Sequence, residues 1–156
     1  MNDSTPNVPL EHGRFDYSAI GDDVNVASRL EGQSKTYGVP IVIGESSFKS
    51  IAGLRALELD LMRVKGKVHP ARIYTPYDVL DGPEDGYERL APNHAAMLAA
   101  YRGRDWDGAE AAIARCEGLG VSRLVSLYKL YRHRIAEWRQ TPPPPDWDGT
   151  FTATSK

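Results

Sequence analysis

The sequence predicts a mixed α/β fold, in which a sheet with its helices is followed by an all-helical segment and an extended tail. Over residues 14–80, short apolar runs bounded by glycine and proline alternate with stretches of helical periodicity. Helical periodicity alone characterises residues 93–140. The tail, residues 141–156, contains four consecutive prolines, which the interior of a helix does not accommodate.

The composition indicates a globular protein and argues against several classes of function. Hydrophobic residues make up 41% of the 156 residues and charged residues 26%. Because the formal net charge is −2, we predict no nucleic-acid partner. No apolar run approaches the ~20 residues that span a bilayer, so we predict no membrane segment and a cytoplasmic location. The lone Cys116 precludes an intrachain disulfide and, with four scattered histidines, a zinc site.

The first predicted elements are a strand and a helix. Arg14–Ile20 alternates aromatic and polar residues and is typical of a strand. After Gly21, the acidic pair "DD" provides a cap for a helix over Val24–Tyr37. Gly38 is expected to end that helix in a left-handed conformation.

Further strands follow in the same half of the chain. Val39–Gly44 is a short apolar run and predicts a buried strand, and "ESSFKSIAG" predicts one short helix. Arg55–Lys67 and Ala71–Leu80 predict two strands joined by a tight, hairpin-like link. In the first of these, leucines alternate at positions 57, 59 and 61.

The pattern divides the chain into five parts. Residues 1–13 are a flexible lead-in, 14–80 the α/β part, 81–92 a linker, 93–140 a helical segment and 141–156 the extended tail. The helical segment breaks at Gly103, with Asp105 as the next cap, and resembles one helical-repeat hairpin plus a helix. We expect it to dock on the α/β part or on a partner.

The last predicted helix and the tail each carry apolar residues that suit packing. Apolar residues at helical spacing in the last helix are Leu124, Leu127, Tyr131, Ile135 and Trp138. In the tail, Trp147 is a candidate anchor.

Two polar residues share one face of the first predicted helix. Asn25 and Arg29 are four residues apart, about a quarter turn from the apolar stripe of that helix. The arginine fork suits phosphate oxygens, and the amide suits a ribose or a base. An ordinary solvent-exposed polar stripe is the alternative interpretation.

The stretch "FDYSAIGDDVNVASRLEGQSKTYGVPIVIGE" resembles the class III nucleotidyl cyclases, the adenylate and guanylate cyclase family. "MRVKGKVHPARIY" resembles a later Val-Lys-Gly-Lys segment of the same family. The tail, "PPPPDWDGTF", is similar to the C-terminal end of bacterial membrane-sensor adenylate cyclases. The resemblance implies a ferredoxin-like α+β cyclase fold that is truncated here, so that the apolar stretch 39–43 would lie uncovered.

The resemblance also implies a reaction and a role for each matched residue. ATP would be cyclised to cyclic AMP and pyrophosphate. Asn25 would orient the ribose, and Arg29 would stabilise the charge that develops on the α-phosphate. Lys65 would neutralise the β- and γ-phosphates, although an ordinary surface lysine is the alternative. Ser18 stands at the base-contacting position, where its hydroxyl suits adenine and also tolerates guanine.

The resemblance implies a metal and a partner that this sequence does not supply by itself. The family uses Mg²⁺ or Mn²⁺ held by two aspartates in an upstream motif, and that motif is not found here. We therefore expect the isolated chain to be inactive. It would need either a dimer partner, a cyclase domain that carries those aspartates, or a missing N-terminal half that supplies them. The alternatives are an inactive module that binds nucleotide or pairs with a cyclase and regulates it, and a helical scaffold without nucleotide contact.

Overall fold

The structure is a computed structural model that describes residues 33–63 and 69–152. Its helices are α1 (33–37), α2 (Glu45–Ser50), α3 (Tyr87–Arg102), α4 (Trp106–Glu117) and α5 (Val125–Gln140). Its strands are β1 (Ile43–Gly44), β2 (Ala56–Arg63), β3 (Ala71–Pro76) and β4 (Phe151–Thr152). A 3₁₀ turn, Tyr77–Val79, follows β3, and a second one, Ser122–Leu124, directly precedes α5.

The described strands form one mixed sheet in the order β1-β3-β2-β4. β3 pairs antiparallel with β1 and with β2, whereas β4 lies parallel to β2. The predicted mixed α/β class is confirmed. A ferredoxin-like cyclase fold stays a prediction, as does the predicted strand Arg14–Ile20, which lies outside the described residues.

The predicted strand Val39–Gly44 is shorter than expected, and the expectation that it lies uncovered is wrong. Only Ile43 and Gly44 pair, yet Val39, Val42 and Ile43 are all buried. Helix α5 approaches this stretch so closely that a Cβ on Gly38 would lie 2.5 Å from the Cβ of Ser126. The C-terminal helices therefore supply the cover that the sequence pattern did not reveal.

Strand β2 contains an irregularity that changes which side chains face the core. Its pairing with β3 shifts register between Glu58 and Asp60. A bulge adds one residue to one strand, so the side chains beyond it exchange faces. Asp60 and Met62 are consequently buried, and Leu61 is only partly buried. The predicted alternation through Leu61 is wrong for that reason.

The next strand also ends earlier than predicted. β3 stops at Pro76, and the chain then turns into the 3₁₀ turn Tyr77–Val79. Proline has no N–H to continue a ladder. Residues 64–68 of the link between β2 and β3 lie outside the described ranges, but the two strands pair antiparallel as the hairpin prediction requires.

The helical segment follows the predictions closely. α3 ends at Arg102, and the Asp105 carboxylate caps α4 by accepting a hydrogen bond of 3.0 Å from the Gly108 N–H. α3 begins at Tyr87, so the second half of the predicted linker 81–92 is helical and includes Pro92. The division into domains stays a prediction.

Side chains from the sheet and the helices share a hydrophobic cluster. It joins Tyr37 and Leu59 to Met97, Ile113 and Ile135. The helical segment therefore docks on the α/β part of the same chain. Within the described ranges, every helix is too short or too polar to cross a membrane.

Candidate functional site

The four residues predicted to contact substrate all lie outside the described ranges. They are Ser18, Asn25, Arg29 and Lys65. The described residues nevertheless include the chain on either side of them. Tyr37, in α1, follows Arg29 by eight residues, and β2 ends two residues before Lys65.

A buried carboxylate joins these two flanking segments. Asp60, in β2, is 1% exposed, and its Oδ2 accepts a hydrogen bond of 2.5 Å from the Tyr37 hydroxyl. The same Oδ2 lies 2.9 Å from Nη2 of Arg134 in α5. Its Oδ1 accepts from the Leu61 N–H at 2.9 Å. The Tyr131 hydroxyl donates to the Leu59 carbonyl oxygen at 2.7 Å and shares that proton with Asp60 Oδ1 at 3.2 Å. We call these four side chains, Tyr37, Asp60, Tyr131 and Arg134, the Asp60 junction.

The guanidinium of Arg134 is enclosed by two aromatic rings. Its Cζ lies 4.4 Å from the centroid of the Phe151 ring and 5.1 Å from that of Tyr131. Neither Nη1 nor Nη2 makes a hydrogen bond of good geometry, although Nη2 is at ion-pair distance from Asp60. The distance is the better guide to the electrostatics, because the Coulomb attraction depends little on the N–H direction. Arg134 is thus held by charge and by ring faces rather than by aligned hydrogen bonds.

The burial of the Asp60 junction keeps its hydroxyls protonated. Burial, and then the nearby charge of Asp60, raise the pKa of Tyr37 and of Tyr131 above the usual range. Burial by itself would lower the pKa of Arg134, but the Asp60 carboxylate raises it on balance. The junction is therefore a fixed ion pair with two neutral tyrosine donors. It suits the positioning of chain segments.

A second buried polar contact attaches α3 to the sheet. His94 is 2% exposed, and its Nε2 lies 2.6 Å from the Glu58 carbonyl oxygen, which can only accept. Nε2 therefore carries the proton, and Nδ1 accepts from the Tyr128 hydroxyl at 3.0 Å. Burial lowers the pKa of His94, so the neutral ring is the stable form. With both nitrogens engaged, His94 has a structural role.

The described residues do not fit the metal that the resemblance implies. No group of three His, Cys, Asp or Glu side chains suited to a metal occurs within 33–63 and 69–152. The buried Asp60 carboxylate is already occupied by Arg134, the two tyrosines and a backbone N–H. The buried Cys116 is a poor nucleophile, because burial raises its pKa.

A cavity of about 600 Å³ lies between α5 and the tail. Aromatic side chains form much of its wall, and they are Tyr101, Trp138, Trp147 and Phe151. Arg134 and Thr150 also line it. Trp147, Thr150, Phe151 and Thr152 give the tail a share of the cavity wall, so the tail lies close to α5 here.

The sequence interpretation missed both charged members of the Asp60 junction. Signals for them were present. Asp60 stands between two leucines of β2, and Arg134 stands three residues after Tyr131 on the buried stripe of α5. An acid and a base on two different apolar faces suggest a buried pair, but only the tertiary structure shows that they meet.

Comparison with known proteins gives one partial similarity. The chain is 43% identical over 65 residues to an adenylate cyclase of Anabaena cylindrica, a match that covers 39% of this chain. It covers only 13% of that relative, so the chain corresponds to a small part of its length. No family model and no solved structure matches the chain significantly.

Proposed function

We propose that this chain contributes to adenylate cyclase activity, converting ATP to cyclic AMP and pyrophosphate. The observation that carries the proposal is the 43% identity to a protein named adenylate cyclase. It agrees with the "GDDVNVASRL" and "VKGK" motifs. The specific activity and the substrate are part of the proposal, because the match covers a small part of that relative.

In this proposal, three cationic or amide groups position ATP. Asn25 orients the ribose, Arg29 stabilises negative charge at the α-phosphate, and Lys65 binds the phosphates that leave. Phosphoryl transfer depends mainly on such positioning and electrostatic stabilisation. Ser18 contacts the adenine. A partner cyclase domain contributes the aspartates that hold Mg²⁺ or Mn²⁺, which supplies the charge neutralisation.

The Asp60 junction supports this assignment. A shared nucleotide site needs the segment that contains Asn25 and Arg29 to stay in register with the segment that contains Lys65. The hydrogen bond of 2.5 Å between Tyr37 and Asp60 fastens the chain after the first segment to the chain before the second. A buried ion pair and two neutral donors make that connection stiff.

The test is complementation. The purified chain is mixed with a cyclase domain that keeps its metal-binding aspartates but lacks its own Asn and Arg, and cyclic AMP and cyclic GMP are measured with ATP or GTP and Mn²⁺. We expect cyclic AMP only in the mixture. Arg29→Ala should lower it by about 100-fold or more. Lys49→Ala, which removes a 70% exposed lysine side chain, is the matched control and should leave the rate unchanged.

Three other outcomes of the complementation assay would contradict the proposal in different ways. If a folded chain gives no product in the mixture, the catalytic proposal is wrong. The chain would instead be a regulatory module that acts by pairing if it lowers cyclic AMP production by an intact cyclase and its Arg29→Ala variant lowers that production equally well. Cyclic GMP made faster than cyclic AMP would overturn the assignment of Ser18 to adenine.

A further inference from the structure

The tail is tied to the helical segment through its proline carbonyls. Residues 141–152 are called the C-terminal strap below. The guanidinium of Arg104 donates to the carbonyl oxygens of Pro143, Pro144 and Pro145 at 3.1, 2.5 and 3.2 Å. One charged side chain thereby fixes three consecutive residues that have no backbone N–H with which to hold themselves in place.

An aromatic cluster holds the middle of the C-terminal strap. The Trp147 ring lies 5.5 Å from Tyr101, 5.3 Å from Trp138 and 6.2 Å from Trp106, measured between centroids. Its indole N–H donates to the Thr150 carbonyl at 3.0 Å, which closes a turn. The sequence prediction of Trp147 as an anchor is confirmed, and the anchor sets where the next residues lie.

The end of the C-terminal strap becomes a strand of the sheet. Phe151 is paired with Met62 and Thr152 with Arg63, parallel to β2. The Asp148 carboxylate lies 3.6 Å from the Arg63 guanidinium. Met62 therefore has β3 on one side and the strap on the other, and Arg63 is paired with the strap.

Phe151 also connects the strap to the Asp60 junction. Its ring lies 4.4 Å from the Arg134 guanidinium, which in turn is 2.9 Å from Asp60 of β2. Cation–π contacts with a desolvated guanidinium are among the stronger ones. The strap thus holds β2 twice, once through backbone pairing and once through a side-chain contact with α5.

We propose that the C-terminal strap is a positioning element for the nucleotide site, because it fixes the end of β2 from which the chain runs to Lys65. This rests on the proposed function. Lys65 is the second residue after Arg63, a reach of about 7 Å at most. We therefore expect a displacement of the β2 end to displace the lysine as well. Phe151 and Thr152 act through Lys65 and touch no substrate.

The experiment compares the affinity of the full chain for ATP and for AMP, measured by titration calorimetry. Only ATP carries the β- and γ-phosphates that Lys65 is proposed to bind. We expect Phe151→Ala to weaken ATP binding about fivefold and to leave AMP binding unchanged. Val125→Ala removes a comparably exposed side chain, 49% against 37%, and is the control. Thr152→Pro, which opposes strand pairing, is a second variant with the same expected effect.

A double variant separates positioning from general destabilisation. In a Lys65→Ala background, Phe151→Ala should cause no further loss of ATP affinity, because the group that it positions is gone. Phe151→Ala could instead weaken ATP and AMP binding equally, or its effect on ATP affinity could add in full to that of Lys65→Ala. Either result would show that the C-terminal strap only stabilises the fold. If Lys65→Ala weakens ATP binding but both strap variants match wild type, the positioning role is wrong and the proposed function stands. A folded wild-type chain that binds no ATP would overturn the positioning role, whereas the proposed function is decided separately by cyclic AMP production in the complementation mixture.

Discussion

Replacing Asp60 with asparagine removes the negative charge that faces Arg134 and keeps the shape of the side chain. The two groups are 1% and 8% exposed, so the arginine would remain charged and without a counter-ion in a buried site. Breaking a buried ion pair at one partner costs about 3–5 kcal/mol. We expect the lower end of this range, because asparagine can still accept from a tyrosine hydroxyl. With an m value of about 2 kcal/mol/M, the urea midpoint should fall by about 1.5 M.

The assay is urea unfolding followed by tryptophan fluorescence, with Asp81→Asn as the control. Asp81 pairs with Arg123 at 2.7 Å, but both side chains are about half exposed or more. Exposed pairs contribute about 0–1 kcal/mol, so this variant should shift the midpoint by less than about 0.5 M. If Asp60→Asn costs no more than the control, the inference that a buried ion pair holds β2 to α5 is refuted. When Arg134→Met is added to Asp60→Asn, we expect part of the lost stability to return, because the unpaired buried charge is removed. If no buried ion pair holds β2 to α5, this second change should restore no stability.

Two further predictions concern the other buried polar contact and a helix cap. Burial lowers the pKa of His94, so as the pH falls the unfolded chain takes up a proton at this histidine before the folded protein does. The contribution of His94 to the free energy of unfolding should therefore be constant above the pKa of a histidine in the unfolded chain, about 6.5, and should fall as the pH drops below it. His94→Gln should flatten the dependence of the urea midpoint on pH, whereas the exposed His133→Gln should leave it unchanged; a wild-type profile that is flat from neutral pH to about pH 5 would contradict the assignment. Asp105→Ala should destabilise the protein by about 1 kcal/mol, because the Gly108 N–H loses its cap, and Asp105→Asn should restore most of that loss. Equal stabilities of the two Asp105 variants in urea would count against the capping interpretation.

Local signals in the sequence were enough to predict several elements. Gly38 ends α1 with a φ of 72°, a conformation that glycine adopts without a steric penalty. Asp105 caps α4, and the apolar stripe of α5 predicted its buried face. In each case the determining interactions lie within a few residues along the chain, so a short window contains the information.

Other features depend on residues that are distant in sequence. The register shift between Glu58 and Asp60 follows from how β2 fits β3, and the pairing of Phe151 with Met62 joins residues 89 positions apart. The strand that the tail forms was therefore not predicted. The four predicted site residues, Ser18, Asn25, Arg29 and Lys65, rest on the motif alone and stay predictions.

By itself, the sequence determined most of the helical segment, the caps at Gly38 and Asp105 and the mixed α/β class, because periodicity and short-range spacing encode them. The tertiary structure decided how these parts are joined. It brought Asp60 to Arg134, Trp147 to the aromatic cluster and β4 to the edge of β2. Such contacts depend on burial and on loop closure over tens of residues, and no local pattern specifies which distant partner a side chain will meet.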